Sequence, residues 1–248
     1  SSDDPDGYMG NVFDGRYLYF SPMNNGSFFH GEVLRYDTTS NFESPNAWST
    51  FDAGANGVGN DPDGYSGAVF DGRYVYFIPD RNNITEHGEV LRYDTTSEFR
   101  SLTSWSTFNA STGIGWVFGT TTTADVVQVT VYRAISHGVG VDPVGFEGAV
   151  FDGRYVYFVP HTREGGNHGE VLRYDTTSNF QSGNSWSTFD PGANGVGNDP
   201  VGYEGAIFDG RYVYFVPYHT GGTQGEVLRY DTTSNFESPN SWSTFDVG

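Results

Sequence analysis

The chain contains no cysteine and no lysine. Without thiols there is no disulfide framework and no thiolate metal site. A chain of 248 residues can bury a sizeable core without such staples, so the missing cysteine leaves the compartment open. The missing lysine makes all twelve basic residues arginine, against 31 acidic ones, for a net charge of -19. Nothing on such a surface offsets phosphates, which excludes nucleic acid and disfavours an anionic membrane surface. Acidic chains stay soluble by self-repulsion and attract cations. Long apolar runs are also absent: none approaches the ~20 residues of a membrane-spanning helix, so no membrane insertion is expected. No signal peptide is visible, which reads as a mature or trimmed chain.

What is present is repetition. The run Gly7-Tyr8-Met9-Gly10-Asn11-Val12-Phe13-Asp14-Gly15-Arg16-Tyr17-Leu18-Tyr19-Phe20 returns almost unchanged from Gly64, Gly145 and Gly202. The starts are 57, 81 and 57 residues apart, so one copy carries a 24-residue insertion. The copies span 7–63, 64–144 with an insertion at about 110–135, 145–201 and 202–248, within one domain. Such periods mark stacked units, each of which needs neighbours to bury its apolar face. With 20 Phe, 17 Tyr and 34 Gly, the units read as short strands joined by tight turns.

The last copy is the cleanest. Strands are expected at Glu204 to Phe208, Arg211 to Val216, Gly225 to Asp231 and Ser241 to Phe245. Asp209-Gly210 is a two-residue hairpin signal, and Pro217 stops the second strand. In that strand Tyr212 and Tyr214 point one way, Val213 and Phe215 the other, so both faces of the sheet are apolar. Stacking four-stranded antiparallel blades about an axis covers both faces, which predicts an all-β β-propeller of four blades. The ring is expected to close between whole blades, with Gly67-Ala68, Gly148-Ala149 and Gly205-Ala206 allowing close approach near the axis. Within the insertion, two strands joined by a Thr-rich turn read as an extra hairpin after blade 2. The alternatives are a degenerate fifth blade, hence a five-bladed propeller, and a parallel β-helix.

The runs Gly-Ala-Val-Phe-Asp-Gly-Arg-Tyr-Val-Tyr-Phe, Gly-Glu-Val-Leu-Arg-Tyr-Asp-Thr-Thr and Ser-Trp-Ser resemble a kelch-type propeller blade. The matching pairs are Tyr36 and Trp48, Tyr93 and Trp105, Tyr174 and Trp186, and Tyr230 and Trp242. The resemblance covers all four copies, and the blade count is that of a hemopexin-like ring. The kelch double glycine after the second strand is replaced by Ile78-Pro79 and Val159-Pro160, and the Tyr-to-Trp spacing of twelve is longer than is usual in kelch.

The carboxylates repeat: Asp14, Asp71, Asp152 and Asp209 in the hairpin, Glu32, Glu89, Glu170 and Glu226 starting strand three, and Asp37, Asp94, Asp175 and Asp231 ending it. A glycosidase needs two carboxyls in unlike environments, which equivalent positions do not supply, so these read as turn and ion-pair residues and the chain as no enzyme. His30, His87 and His168 share a position that Gln224 fills in the last copy, which suggests a hydrogen-bonding role. The linkers Asp3-Asp4-Pro5-Asp6-Gly7 and Asn60-Asp61-Pro62-Asp63-Gly64 offer hard oxygen ligands for calcium. Candidate ligands are Asp4, Asp6, Asp61 and Asp63, with Asp142 and Asp199 in the later copies.

Trp48, Trp105, Trp186 and Trp242, beside Arg35, Arg92, Arg173 and Arg229, supply the parts of repeated glycan sites, which multivalency would strengthen. The same tryptophans could instead pack inside the blades. The loops 23–30, 80–87, 161–168 and 218–224 differ among copies and would share one face, where recognition by a rigid scaffold resides. The sequons at Asn25, Asn83 and Asn109 bear on this only in a secreted eukaryotic protein. The expected function is a secreted or cell-surface binding module for a glycan or an extracellular protein. The alternative is an assembly subunit of a filament or surface layer, self-associating through the insertion. A glycoside hydrolase ranks third.

Overall fold

A computed structural model describes residues 6–111, 116–123, 126–133, 138–218 and 225–247. It contains four four-stranded antiparallel sheets in sequence order, each a simple meander. Blade 1 comprises β1 (Tyr8–Phe13), β2 (Tyr17–Pro22), β3 (Glu32–Asp37) and β4 (Trp48–Asp52). Blade 2 comprises β5 (Tyr65–Phe70), β6 (Tyr74–Pro79), β7 (Glu89–Asp94) and β8 (Trp105–Asn109). The insertion forms its own two-stranded sheet, β9 (Trp116–Thr123) paired with β10 (Val126–Arg133), and adds no blade. Blade 3 comprises β11 (Phe146–Phe151), β12 (Tyr155–Pro160), β15 (Val171–Asp175) and β16 (Trp186–Phe189), with the small hairpin β13 (Thr162–Arg163) and β14 (Gly166–Asn167) in its loop. Blade 4 comprises β17 (Tyr203–Phe208), β18 (Tyr212–Pro217), β19 (Glu226–Asp231) and β20 (Trp242–Asp246).

The blades stack through their first strands, β1 on β5, β5 on β11 and β11 on β17. Glycine permits this approach: a Cβ on Gly10 would stand 2.7 Å from the Gly67 Cα. The alternation expected in strand two is observed. Tyr19, Tyr76 and Tyr157 enter the core shared with the following blade, while Val75 and Phe77, Val156 and Phe158, and Val213 and Phe215 enter the core shared with the preceding one. Three cores result, one at each junction between consecutive blades. The architecture is a β-propeller-like array of four stacked blades.

Two expectations need correction. The hairpin loop is Gly210-Arg211 rather than Asp209-Gly210, because the Asp209 backbone N–H already bonds the Tyr212 carbonyl at 3.1 Å. The Asp209 side chain then accepts from the Arg211 and Tyr212 N–H groups, and Gly210 takes the positive φ of 103°. The ring also does not close. Among the described residues, β17 makes no packing against β1 like that between successive first strands, and blades 1 and 4 each leave an apolar face uncovered. Closure depends on the angle between packed sheets, which the pattern along a strand does not encode.

Candidate functional site

The repeated carboxylates hold the blades together. Asp71 accepts from the N–H groups of Arg73 at 2.8 Å and Tyr74 at 2.6 Å, and from the Tyr76 hydroxyl at 2.7 Å. Asp94 receives the Arg73 guanidinium at 2.8 Å and the Thr96 hydroxyl at 2.6 Å. The same geometry recurs in the other blades, and the arginine with its partner threonine holds Asp37 and Asp231 well below the usual carboxylate range. Glu89, Glu170 and Glu226 are buried and accept two linker amides each, from Asn60 and Asp61, Val141 and Asp142, and Asn198 and Asp199, at 2.7–3.1 Å. Each glutamate fastens the incoming linker to its blade.

Three of the four repeated tryptophans sit at blade junctions. Trp105, Trp186 and Trp242 are buried, and each indole N–H donates to a carbonyl six residues earlier, of Phe99, Phe180 and Phe236. Trp48 makes the same bond to Phe42 but is half-buried. The arginines stack across junctions: the Arg35, Arg92 and Arg173 guanidiniums lie 4.0–4.1 Å from the ring centroids of Phe99, Phe180 and Phe236 in the next blade. Among the described residues Arg229 covers Tyr212 of its own blade, at 4.5 Å, and no ring of another blade. Tryptophan and arginine are therefore brought together as cross-blade packing.

The acidic linkers divide. Asp4 lies outside the described residues, and Asp6 is exposed. Asp61 and Asp63 come together; burial, then repulsion from Asp61 and Asp52, pushes Asp63 up to about 7. Burial also raises Asp61 and Asp142. Blades 3 and 4 carry Val144 and Val201 where blade 2 has Asp63, leaving Asp142 and Asp199 without that second carboxyl. Among the described residues no group of three or more His, Asp or Glu converges as a metal site would. Two carboxyls in blade 2 fit part of a calcium shell, which takes six to eight oxygens.

His30, His87 and His168 are not brought together. Each lies edge-on to the first aromatic of its own blade, Tyr8, Tyr65 or Phe146, at 5.7–5.8 Å. Burial lowers His87 and His168 to about 4. Gln224, His137 and His219 lie outside the described residues.

A different group is built from positions that break the repeat. The second strand of each blade ends in proline, and the next residue is Met23, Asp80, His161 or Tyr218. Each is held in place by a backbone bond to the entry glycine of its blade, Gly7, Gly64, Gly145 or Gly202, at 2.9–3.1 Å. Beside them, at the start of the first strands, stand Met9, Ser66, Glu147 and Glu204. Glu147 Oε2 is 3.9 Å from His161 Nδ1, and the rings of His161 and Tyr218 are 6.0 Å apart. Burial, then repulsion from Asp80 and Glu204, pushes Glu147 up to about 7. Burial, then Glu86, pushes Asp80 up to about 6.

This group opens on the face that carries the variable loops. Phe28, Ile84 and Tyr218 are exposed there. The first two loops are tied together, with Asn83 accepting from the Phe29 N–H at 2.9 Å and donating to its carbonyl at 3.1 Å. Sequence reasoning named these loops but missed Glu147 and Glu204. Aligning the four copies column by column exposes the signal, since Met9, Ser66, Glu147 and Glu204 differ in kind between a column of aromatics and a column of glycines.

No protein-family model matches the chain, and no curated protein matches it either. The class is defined by architecture: a repeat protein of four propeller-like blades with one variable loop face. Among the described residues no helix is long and apolar enough to cross a membrane.

Proposed function

We propose that this is a non-enzymatic, secreted or cell-surface binding module that recognises a neutral glycan, free or carried on an extracellular protein, on its loop face. The observation that carries the reading is the group of Asp80, Glu147, His161 and Glu204, the repeat-breaking polar residues at the inner end of that face. Glu147, pushed up to about 7 by burial, holds a proton part of the time near neutral pH and so both donates and accepts, which matches the paired donor and acceptor character of sugar hydroxyls. Tyr218 beside His161 supplies an aromatic surface. A net charge of -19 disfavours anionic ligands. The kelch-like and hemopexin-like resemblance supports the same arrangement, loops of stacked blades forming one binding face. Calcium at Asp61 and Asp63 belongs to the proposal as a support for the linker below that face.

The test is a glycan-array screen of the purified protein, with calcium and with a chelator, alongside Asp80→Asn combined with Glu147→Gln. The expected result is saturable binding to a related set of neutral sugars, lost in the double variant while its circular dichroism is unchanged. Loss on chelation would place calcium in the site. An array blank under both conditions, or binding untouched in the double variant, would overturn the reading.

A further inference from the structure

The three internal junctions are built alike. At each, a phenylalanine of one blade faces the tryptophan of the next: Phe51 on Trp105 at 5.3 Å, Phe108 on Trp186 at 4.4 Å and Phe189 on Trp242 at 5.4 Å, with ring planes within 20°. A tyrosine meets a tyrosine at 5.7 Å in all three, Tyr19 with Tyr93, Tyr76 with Tyr174 and Tyr157 with Tyr230. An arginine lies over a phenylalanine, as described above. One sheet face therefore carries Phe, Tyr and Arg, and the face it meets carries Trp, Tyr and Phe.

Among the described residues both kinds of face are left uncovered, one on blade 4 and one on blade 1. Blade 4 presents Tyr214, Arg229 and Phe245, and among the described residues no blade packs against them. Phe245 is 71% exposed, whereas Phe51, Phe108 and Phe189 are at 8% or less. Ile207 and Val216 are exposed beside it, although Ile78 and Val159, which match Val216, are fully buried. Blade 1 presents Phe42 and the half-buried Trp48, with Tyr36, 8% exposed, packed beneath them; among the described residues no blade packs on this face. Phe42 is 64% exposed, against 2% or less for Phe99, Phe180 and Phe236. The chemistry of each end is the chemistry that the other end lacks.

We infer that the Phe245 face of blade 4 docks on the Trp48 face of blade 1 of a second copy of this chain, head to tail. Phe245 stacks on Trp48, Tyr214 meets Tyr36, and Arg229 covers Phe42, so the contact repeats the three junctions already inside the molecule. A contact between unlike faces closes a ring when the rotation allows and otherwise continues as a filament. Blade 1 carries Asn11 where the later blades carry Ala68, Ala149 and Ala206, so this junction has a more polar spot than the internal ones. Since each copy carries a net charge of -19, added salt strengthens the contact. The inference rests on the sheet faces alone and is independent of what the loop face binds.

The test is sedimentation velocity of the whole chain across concentrations up to roughly 100 µM. The wild-type protein is expected as a dimer or a longer series. Phe245→Asp and Phe42→Asp are each expected to be monomeric, with unchanged circular dichroism. Mixed together, they retain one intact face of each kind and should form a 1:1 dimer that grows no further. A monomeric wild type throughout would overturn the inference, as would association that survives both substitutions, which would place the contact elsewhere, for instance at the β9–β10 hairpin.

Discussion

At the residue scale the chain separates two kinds of carboxyl. Asp37 and Asp231, paired with arginine, are held down, so what they add to stability is lost only under strong acid. Glu147 is the opposite case, with a folded pKa of about 7 above the ordinary 4.5. A raised folded pKa means that the folded chain holds the proton more tightly than the unfolded one. The stabilisation is complete below about pH 4.5 and is lost as pH rises through about 7. Denaturant midpoints should therefore fall between those limits. Glu147→Gln should flatten this slope and be the more stable protein above pH 7, by about 1–2 kcal/mol after allowing for solvent screening of a half-buried group. Parallel profiles for the two proteins would show that Glu147 does not carry the slope.

At the element scale the insertion is an appendage. The chain leaves blade 2 at Ala110 and rejoins at Val139, and a single backbone bond of 3.2 Å from the Val139 N–H to the Ala110 carbonyl spans the two ends. The same bond joins Val58 to Ala53 and Val196 to Pro191, where only Gly-Ala-Asn-Gly lies between. Replacing residues 111–138 by Gly-Ala-Asn-Gly should leave a folded protein whose thermal midpoint lies within about 5 °C of the parent. A molten or insoluble product would show that the hairpin supports blade 2. The strands and their two apolar faces could be read from the sequence because alternating aromatic and β-branched residues, prolines and glycines mark them in every copy. The hairpin offset could not, since the aspartate caps the loop with its backbone N–H as well as its side chain and so belongs to the ladder rather than the loop. The Asp80–Glu147–His161 group repeats nowhere, so its only mark in the sequence is that its columns vary among the copies; that its members meet across two blades is not written there.

At the scale of the whole molecule, charge and stacking oppose each other. A net charge of -19 on one compact body raises its free energy through self-repulsion, which salt screens. The thermal midpoint of the Phe245→Asp variant, in which association is blocked, should rise by roughly 3–8 °C between about 0.02 M and 0.5 M NaCl. A flat response would mean that screening of the four exposed arginine–aspartate pairs cancels the gain. The likeness of the junctions has a further effect on how the chain reaches its native order. A newly collapsed blade 1 offers Phe51 equally to Trp105, Trp186 or Trp242, so mispaired blade orders are near-degenerate competitors that must be undone before folding completes. Proximity along the chain favours the right neighbour. One local address is added at the junction of blades 2 and 3, where the buried Ser66 hydroxyl donates to the Phe146 carbonyl at 2.7 Å, while the other copies carry Met9, Glu147 and Glu204 at that position. That serine works as a proofreading mark, telling the second blade which of its look-alike partners comes next.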